Sequence, residues 1–273
     1  MDEISQFNKE RWNQLVENKV VCSQPLLNIT EDQARSRVEG LEYLQPVQDQ
    51  SILCLASGGG QQSMAFAKMG GQVTVTDLSG AQLEKDRLAA VSNQLKIRMI
   101  QMDMRDFSPF EDASFDIVYQ PYSINYVPDV TPVFDGVQRV LKSQGRYYLM
   151  FHNPITHGSW TNGSWGAPWK PEELWEGYAY PVRLPYEEGL PVHYRYDQWI
   201  FHDQSGQKRE VPAPQEFKHT ISTIINGLVE RGLRILHFEE LQLPEKGATF
   251  SPGDWDHYRQ HAAPWFGIWC QKA

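Results

Sequence analysis

A six-residue apolar run, 51–56 (SILCLA), leads into Ser57-Gly58-Gly59-Gly60 and then into a stretch with helical spacing, 61–69. No other feature constrains the chain as much. An apolar run without alternation is what a strand covered on both faces requires. Glycines at its end let the backbone turn tightly and approach a ligand, and the helix that follows offers free N–H groups at its start. Gly70-Gly71 stop that helix, and 73–76 (VTVT) forms a second strand with Asp77 at its end.

The alternation continues. Ser79 and Gln82 cap a helix carrying Leu83, Leu88 and Val91. A third strand, 97–102, runs into Asp103, and a fourth, 115–120 (FDIVYQ), ends on Gln120. Thr131-Pro132 opens a helix with Val133, Phe134, Val137, Val140 and Leu141 at helical spacing. Ser143-Gln144-Gly145 turns the chain into a fifth strand, 146–152. Strand and helix repeated in this way predict a parallel sheet with right-handed crossovers.

Ahead of this core, Ile4, Phe7, Trp12, Leu15 and Val16 mark one face of an N-terminal helix. Thr30 with Gln33 reads as a capping box for a second helix, which runs through Ala34, Val38, Leu41 and Leu44 to Pro46. Residues 153–216 differ in character. They hold eight of the 17 prolines and five of the nine tryptophans, Trp165 and Trp199 among them, with no long periodic pattern. A segment of that length is expected to be a lid or binding element. A helix on Ile221, Ile224, Ile225 and Leu228 and two strands, 233–240 and 265–270, close the chain. The expected organisation is an N-terminal helical cap (1–45), a core (46–152), a substrate lid (153–216) and a C-terminal completion of the sheet (217–273).

The formal net charge of −9 gives no basic footprint for nucleic acid. No stretch approaches the roughly 20 apolar residues of a membrane helix. Cys22, Cys54 and Cys270 are few and far apart, so neither a disulfide framework nor a metal site is expected, and a reducing cytoplasm is the expected setting. A small-molecule partner fits best; the oligomeric state is not written in the sequence.

Gly58, Gly60, Asp77, Asp103 and Gln120 all fall at the carboxyl ends of strands, where an open parallel sheet binds its ligands. Asp77 stands 19 residues beyond Gly58, the spacing of a carboxylate that accepts from ribose hydroxyls. This spacing by itself serves a dinucleotide as well as another adenosine ligand, and Gly58-x-Gly60-x-x-Ser63 is one residue from the dinucleotide fingerprint.

The run ILCLASGGGQQSMAFAKMGGQVTVTDLSGAQLEKD resembles the first motif and second strand of class I S-adenosylmethionine-dependent methyltransferases of the small-molecule type. IQMDMRDFSPFEDASFDIVYQPYSINYVPD, VFDGVQRVLKSQGRYYLMF and the closing segments FKHTISTIINGLVERGLRILHFEE and APWFGIWCQK resemble the later blocks, in order. The resemblance implies an α/β, Rossmann-like three-layer sandwich. Its seven-stranded sheet is mostly parallel with the last strand antiparallel, and an aromatic-rich lid is inserted. It implies that Ala56, Ser57, Gly58, Gly60 and Gln61 line the methionine and ribose portions of S-adenosylmethionine, and S-adenosylhomocysteine after transfer. Asp77 would hold the ribose, Leu78 would lie beside the adenine, Asp103 would accept its amino group, Met104 would cover the ring, and Gln120 would face the methionine end. Two departures stand out. Cys54 replaces a common acidic residue and Ala56 a glycine, leaving backbone carbonyls or Gln120 to hold the cofactor's amino group.

Methyl transfer needs alignment and exclusion of water more than a catalytic group. If a base is needed, His152 at the end of the fifth strand is the first candidate, ahead of His157, His193 and His219. Trp12, Tyr122, Trp165 and Trp199 are expected against the substrate, with packing in a private core as the competing reading. The rival functions are an NAD(P)-dependent oxidoreductase, which leaves Asp103-Met104 unexplained, and an S-adenosylmethionine-binding protein without catalysis.

Overall fold

A computed structural model describes residues 1–19, 23–158, 167–169, 177–179, 182, 184–193, 198–202, 205–251 and 254–273, with side chains omitted at 167–169, 177–179, 198–202 and 208–209. The N-terminal part holds helices Glu3–Glu17 (α1), Glu31–Arg35 (α2) and Leu41–Leu44 (α3). The core follows as Ser51–Cys54 (β1), Gln62–Lys68 (α4), Gln72–Asp77 (β2), Gly80–Asn93 (α5), Arg98–Gln101 (β3), Phe115–Gln120 (β4), Thr131–Val140 (α6) and Leu141–His152 (β5). Short strands Ala167–Trp169 (β6), Gly177–Ala179 (β7), Leu190–Val192 (β8), Gln198–His202 (β9), Lys208–Pro212 (β10) and Glu216–Lys218 (β11) come next. Ile221–Val229 (α7), Leu233–Leu241 (β12), Trp255–His261 (α8) and Trp265–Lys272 (β13) complete the chain.

Seven strands form one sheet in the order β12-β13-β5-β4-β1-β2-β3. β1 pairs in parallel with β2 and β4, and β13 inserts antiparallel between β5 and β12. The strand order therefore reverses between β1 and β4, which opens a crevice at their carboxyl ends. Alternation along each strand divides the core between the two faces. Leu53, Val118, Tyr147 and Leu149 pack with Val133, Phe134 and Val137 of α6 and with Ile224 and Leu228 of α7. Ile52, Cys54, Tyr119 and Tyr148 face the other way, onto Phe66 of α4 and Leu83 of α5. Among the described residues no helix is long and apolar enough to cross a membrane.

Three local expectations change. The second helix is not continuous: it stops after Arg35 and resumes as α3 beyond Gly40. Gly40 takes φ +55, and a Cβ there would lie 2.1 Å from the buried Trp269 ring, so the break lets the chain pass over that indole. β5 begins at Leu141 rather than Arg146, with Gln144 at φ +63 where the register against β4 shifts. The turn residues thus form an irregularity within the strand rather than a separator. α6 takes Val130, not Thr131, as its cap, with Pro132 still in the first turn.

Within 153–216, β6 pairs with β7 and β9 with β10, while β8 pairs with β11, all antiparallel. Strands of three to five residues are too short to print a period on the sequence. Trp165 lies outside the described residues; Trp199 lies on β9, its side chain outside the description.

Candidate functional site

A cavity opens at the carboxyl ends of β1 and β2. Its floor is Ala56, Ser57 and Gly58, with Asp77 and Leu78 beside them. Asp103 and Met104 close one end, while Trp12 of α1 and Tyr122 close another. Gly60, Gln61, Gln120 and His152 are not among the lining residues.

The turn is built around two carboxylates. The Gly58 N–H donates to Asp77 Oδ2 at 2.9 Å, and the Ser79 N–H to Asp77 Oδ1 at 2.8 Å. A Cβ on Gly58 would sit 2.9 Å from that Oδ2 and 2.7 Å from Gln82 Cβ, so the approach needs glycine. The next N–H, of Gly59, donates to Asp86 Oδ2 at 2.8 Å, and the Ser63 hydroxyl bonds the other Asp86 oxygen. Burial pushes Asp77 up to about 6 and Asp86 up to about 7, against the hydrogen bonds that favour their ionised forms. Ala56 takes φ +46, a left-handed conformation that its methyl makes costly by roughly 1 kcal/mol relative to glycine.

Ser57 Oγ and Gln82 Oε1 are buried without a partner among the described residues, and both residues line the cavity. Buried polar atoms left unpaired at a cavity wall point to a ligand that pairs with them. The turn also discriminates between ligands. A pyrophosphate needs free backbone N–H groups, yet those of Gly58 and Gly59 are taken by carboxylates. Two acidic side chains under the turn oppose an anion and suit a cation. The residues present therefore fit S-adenosylmethionine, whose sulfonium and ammonium are cationic, and do not fit a dinucleotide.

Other expected residues have partners of their own. Asp103 accepts from Arg105 Nη2 at 2.6 Å and from Ser5 Oγ at 2.5 Å. Burial by itself raises it, but the hydrogen bonds from Arg105 and Ser5 hold it below the usual carboxylate range. Gln61 caps α4 and faces the N-terminal segment, donating to the Gln24 carbonyl and accepting from Arg37. Gly60 lies against the Lys85 carbonyl of α5. Gln120 is fully buried behind Ser123, to which it donates at 3.1 Å, and accepts from the Tyr147 hydroxyl.

Elsewhere on the cavity wall Trp12 and Tyr122 each meet Tyr126 edge-to-face, at 5.4 and 5.7 Å. The Tyr122 hydroxyl donates to Glu216 Oε2 at 2.9 Å, and His157 Nε2 lies 2.5 Å from the same oxygen. His157 stacks on His152 at 4.3 Å, and burial pushes both imidazoles down to about 3. His152 sits edge-on to Tyr122, 6.2 Å away, with Nδ1 against the Asn153 carbonyl. His219 is buried between Glu188 and the Val127 carbonyl, and His193 is exposed.

Sequence reasoning missed Asp86, Arg105, Ser5, Asn8 and Glu216. Asp86 alone left a signal: with Gln82 it places polar side chains four apart on the face of α5 that also buries Leu83, Ala89 and Ala90.

Comparison with known proteins agrees with this geometry. Residues 53–149 match the family model described as a methyltransferase domain. Over 114 residues the chain is 40% identical to the uncharacterised methyltransferase YbaJ of Bacillus subtilis (strain 168), covering 42% of this chain and 45% of that protein. It is 34% identical over 124 residues to a demethylmenaquinone methyltransferase of Clavibacter sepedonicus, covering 45% and 49%. The chain thus spans about half the length of the curated relatives it matches. In fold it is similar to an S-adenosylmethionine-dependent methyltransferase of Mesorhizobium loti, with TM-score 0.57 and 18% identity over 85% of this chain and 95% of that one.

Proposed function

We propose that this chain, whose residues 53–149 form a class I S-adenosylmethionine-dependent methyltransferase domain, transfers a methyl group to a small-molecule acceptor. The observation that carries the reading is the turn itself, with carboxylates on two successive N–H groups and unpaired Ser57 Oγ and Gln82 Oε1 at the cavity wall. A quinone-type acceptor is named for one relative, which favours a small substrate over a polymer.

When bound, S-adenosylmethionine supplies a methyl group already activated by its sulfonium. The protein's task is to hold, align and dry the site. Asp77 would accept from the ribose hydroxyls, Leu78 and Met104 would hold the adenine, and Asp103 would accept from its amino group. Ser57 and Gln82 take polar atoms of the ligand. Trp12, Tyr122 and Tyr126 form the apolar wall of the acceptor end. The described part of 153–216 that meets α1 and Tyr122 covers that end. In support, Val211 packs with Leu15 of α1, and Glu216 reaches Tyr122. Where the acceptor must lose a proton, the Tyr122 hydroxyl takes it while passing its own to Glu216. His152 backs this pair through His157 without meeting the acceptor.

Calorimetric titration of the purified chain with S-adenosylhomocysteine, NAD(H) and NADP(H) tests the reading. Micromolar binding of the first alone is expected. Binding of a nicotinamide cofactor in its place would overturn it.

A further inference from the structure

Asp86 is a buried carboxylate that touches neither the cavity nor any base. It is fully buried on α5, and its two oxygens accept from the Gly59 N–H and the Ser63 hydroxyl. Among the described residues no lysine, arginine or histidine pairs with it. The titratable groups facing it are Asp77 at the end of β2 and Cys54 of β1, whose thiol burial and Asp86 together push up. α4 presents the Ser63 hydroxyl, while α1 presents Asn13 to Ser79 and β3 presents Gln101 to the Leu78 carbonyl, both uncharged.

A glycine turn can be held by a neutral Asn or Ser side chain. A buried ion without a counter-ion is costly, and hydrogen bonds from Ser63 and the Gly59 and Gly60 backbone only partly offset that. Two such carboxylates side by side, under the floor of a ligand cavity, form a negative field that nothing described in the chain neutralises. Inside a low-dielectric core such a field reaches across several ångströms.

The geometry points to Asp86 as the residue that makes the site read its ligand's charge: with Asp77, it favours the cationic sulfonium cofactor over the neutral thioether left after transfer. This rests on the S-adenosylmethionine reading above. The two ligands differ by one methyl and one positive charge, so a field of this sign draws in the loaded form and lets the spent form leave. Asp86 acts as a positioning residue, through the Gly59 N–H and through space.

The test is calorimetry of the full chain with S-adenosylmethionine and S-adenosylhomocysteine at pH 6, 7 and 8. Asp86→Asn isolates the charge, since its amide can accept from Gly59 and donate to the Ser63 hydroxyl. Asp86→Ala removes the hydrogen bonds as well. In the native chain, preference for the sulfonium ligand should rise about fivefold from pH 6 to 8; Asp77, pushed up to about 6, shares the rise below pH 7, and the further rise from pH 7 to 8 belongs to Asp86, pushed up to about 7. In Asp86→Asn that preference should be about fivefold weaker at pH 8 and flat from pH 7 to 8, with thioether affinity held within about twofold. Asp77, near 6, has ionised by then in both proteins, and the ligands' shared ammonium cancels in the ratio. An unchanged preference in Asp86→Asn, or equal losses for both ligands confined to Asp86→Ala, would leave Asp86 a mere brace for the turn and overturn the proposal. If Asp86→Asn does not fold, a preference that is flat from pH 7 to 8 in the native chain overturns it equally. Failure of the native chain to bind either ligand would instead sink the cofactor reading.

Discussion

Asp77 joins the turn to the cavity, since one carboxylate orders Gly58 and Ser79 and still lines the cavity wall. Removing it leaves two N–H groups without their acceptor and, on the function proposed above, the ribose hydroxyls as well, each such loss worth about 1.5–3 kcal/mol for a charged partner. Asp77→Ala should therefore weaken S-adenosylhomocysteine binding by roughly ten- to a hundredfold. A calorimetric dissociation constant equal to the native one would remove Asp77 from the site. Asp77 was legible because its spacing from Gly58 follows from one strand–turn–helix–strand unit. Asp86 was hidden because its meaning depends on what α5 packs against. Arg105 and Ser5 meet across 100 residues of chain, a contact no local pattern records. Cys54 looked like a missing charge in the sequence; in the structure a carboxylate sits under the same turn, supplied from another element.

Elements were legible where one period ran long enough. The strands of the central sheet read as apolar runs because helices cover both faces, and α6 and α7 announced themselves by spacing. The six short strands of 153–216 did not, and neither did the break at Gly40, which depends on Trp269 some 230 residues away. Helix α1 is the element on which closure of the site depends. Ser5, Asn8 and Trp12 line the cavity, and Asn8 bonds both the Gln215 backbone and the Tyr126 carbonyl. Its first turn is fastened by Arg105, which reaches Asp2 at 2.7 Å, Asp103 at 2.6 Å and the Ser5 hydroxyl. The core sheet owes nothing to this contact. Arg105→Ala should thus speed amide exchange in the first turns of α1 and weaken S-adenosylhomocysteine binding by about three- to tenfold, with the thermal midpoint within a few degrees of the native value. Unaltered exchange in α1 would show that the helix is held by Asn8 and Trp12 without this fastening.

Across the whole molecule, the buried carboxylates at the glycine turn and the buried imidazoles behind Tyr122 pull stability in opposite directions with pH. Asp77 and Asp86, raised to about 6 and about 7, keep protons in the folded protein that the unfolded chain has released, so each lowers stability as pH rises from about 4.5 toward its folded value. His152 and His157, lowered to about 3, are neutral when folded while the unfolded chain is protonated below about 6.5, so each raises stability as pH rises from about 4.5 to 6. Asp103 and Asp2, held low by Arg105, have finished titrating below this window. Two groups of each kind cancel, and the native chain should show a nearly level urea midpoint between pH 4.5 and 6. Asp86→Asn removes one of the two groups that favour low pH. The remaining imbalance of one proton gives a slope of about 1.4 kcal/mol per pH unit, so this variant should gain roughly 2 kcal/mol from pH 4.5 to 6. Parallel profiles, with the native chain gaining the same roughly 2 kcal/mol as Asp86→Asn, would mean that Asp86 is already ionised in the folded chain at pH 4.5, which would place a positive charge beside the glycine turn before any ligand arrives.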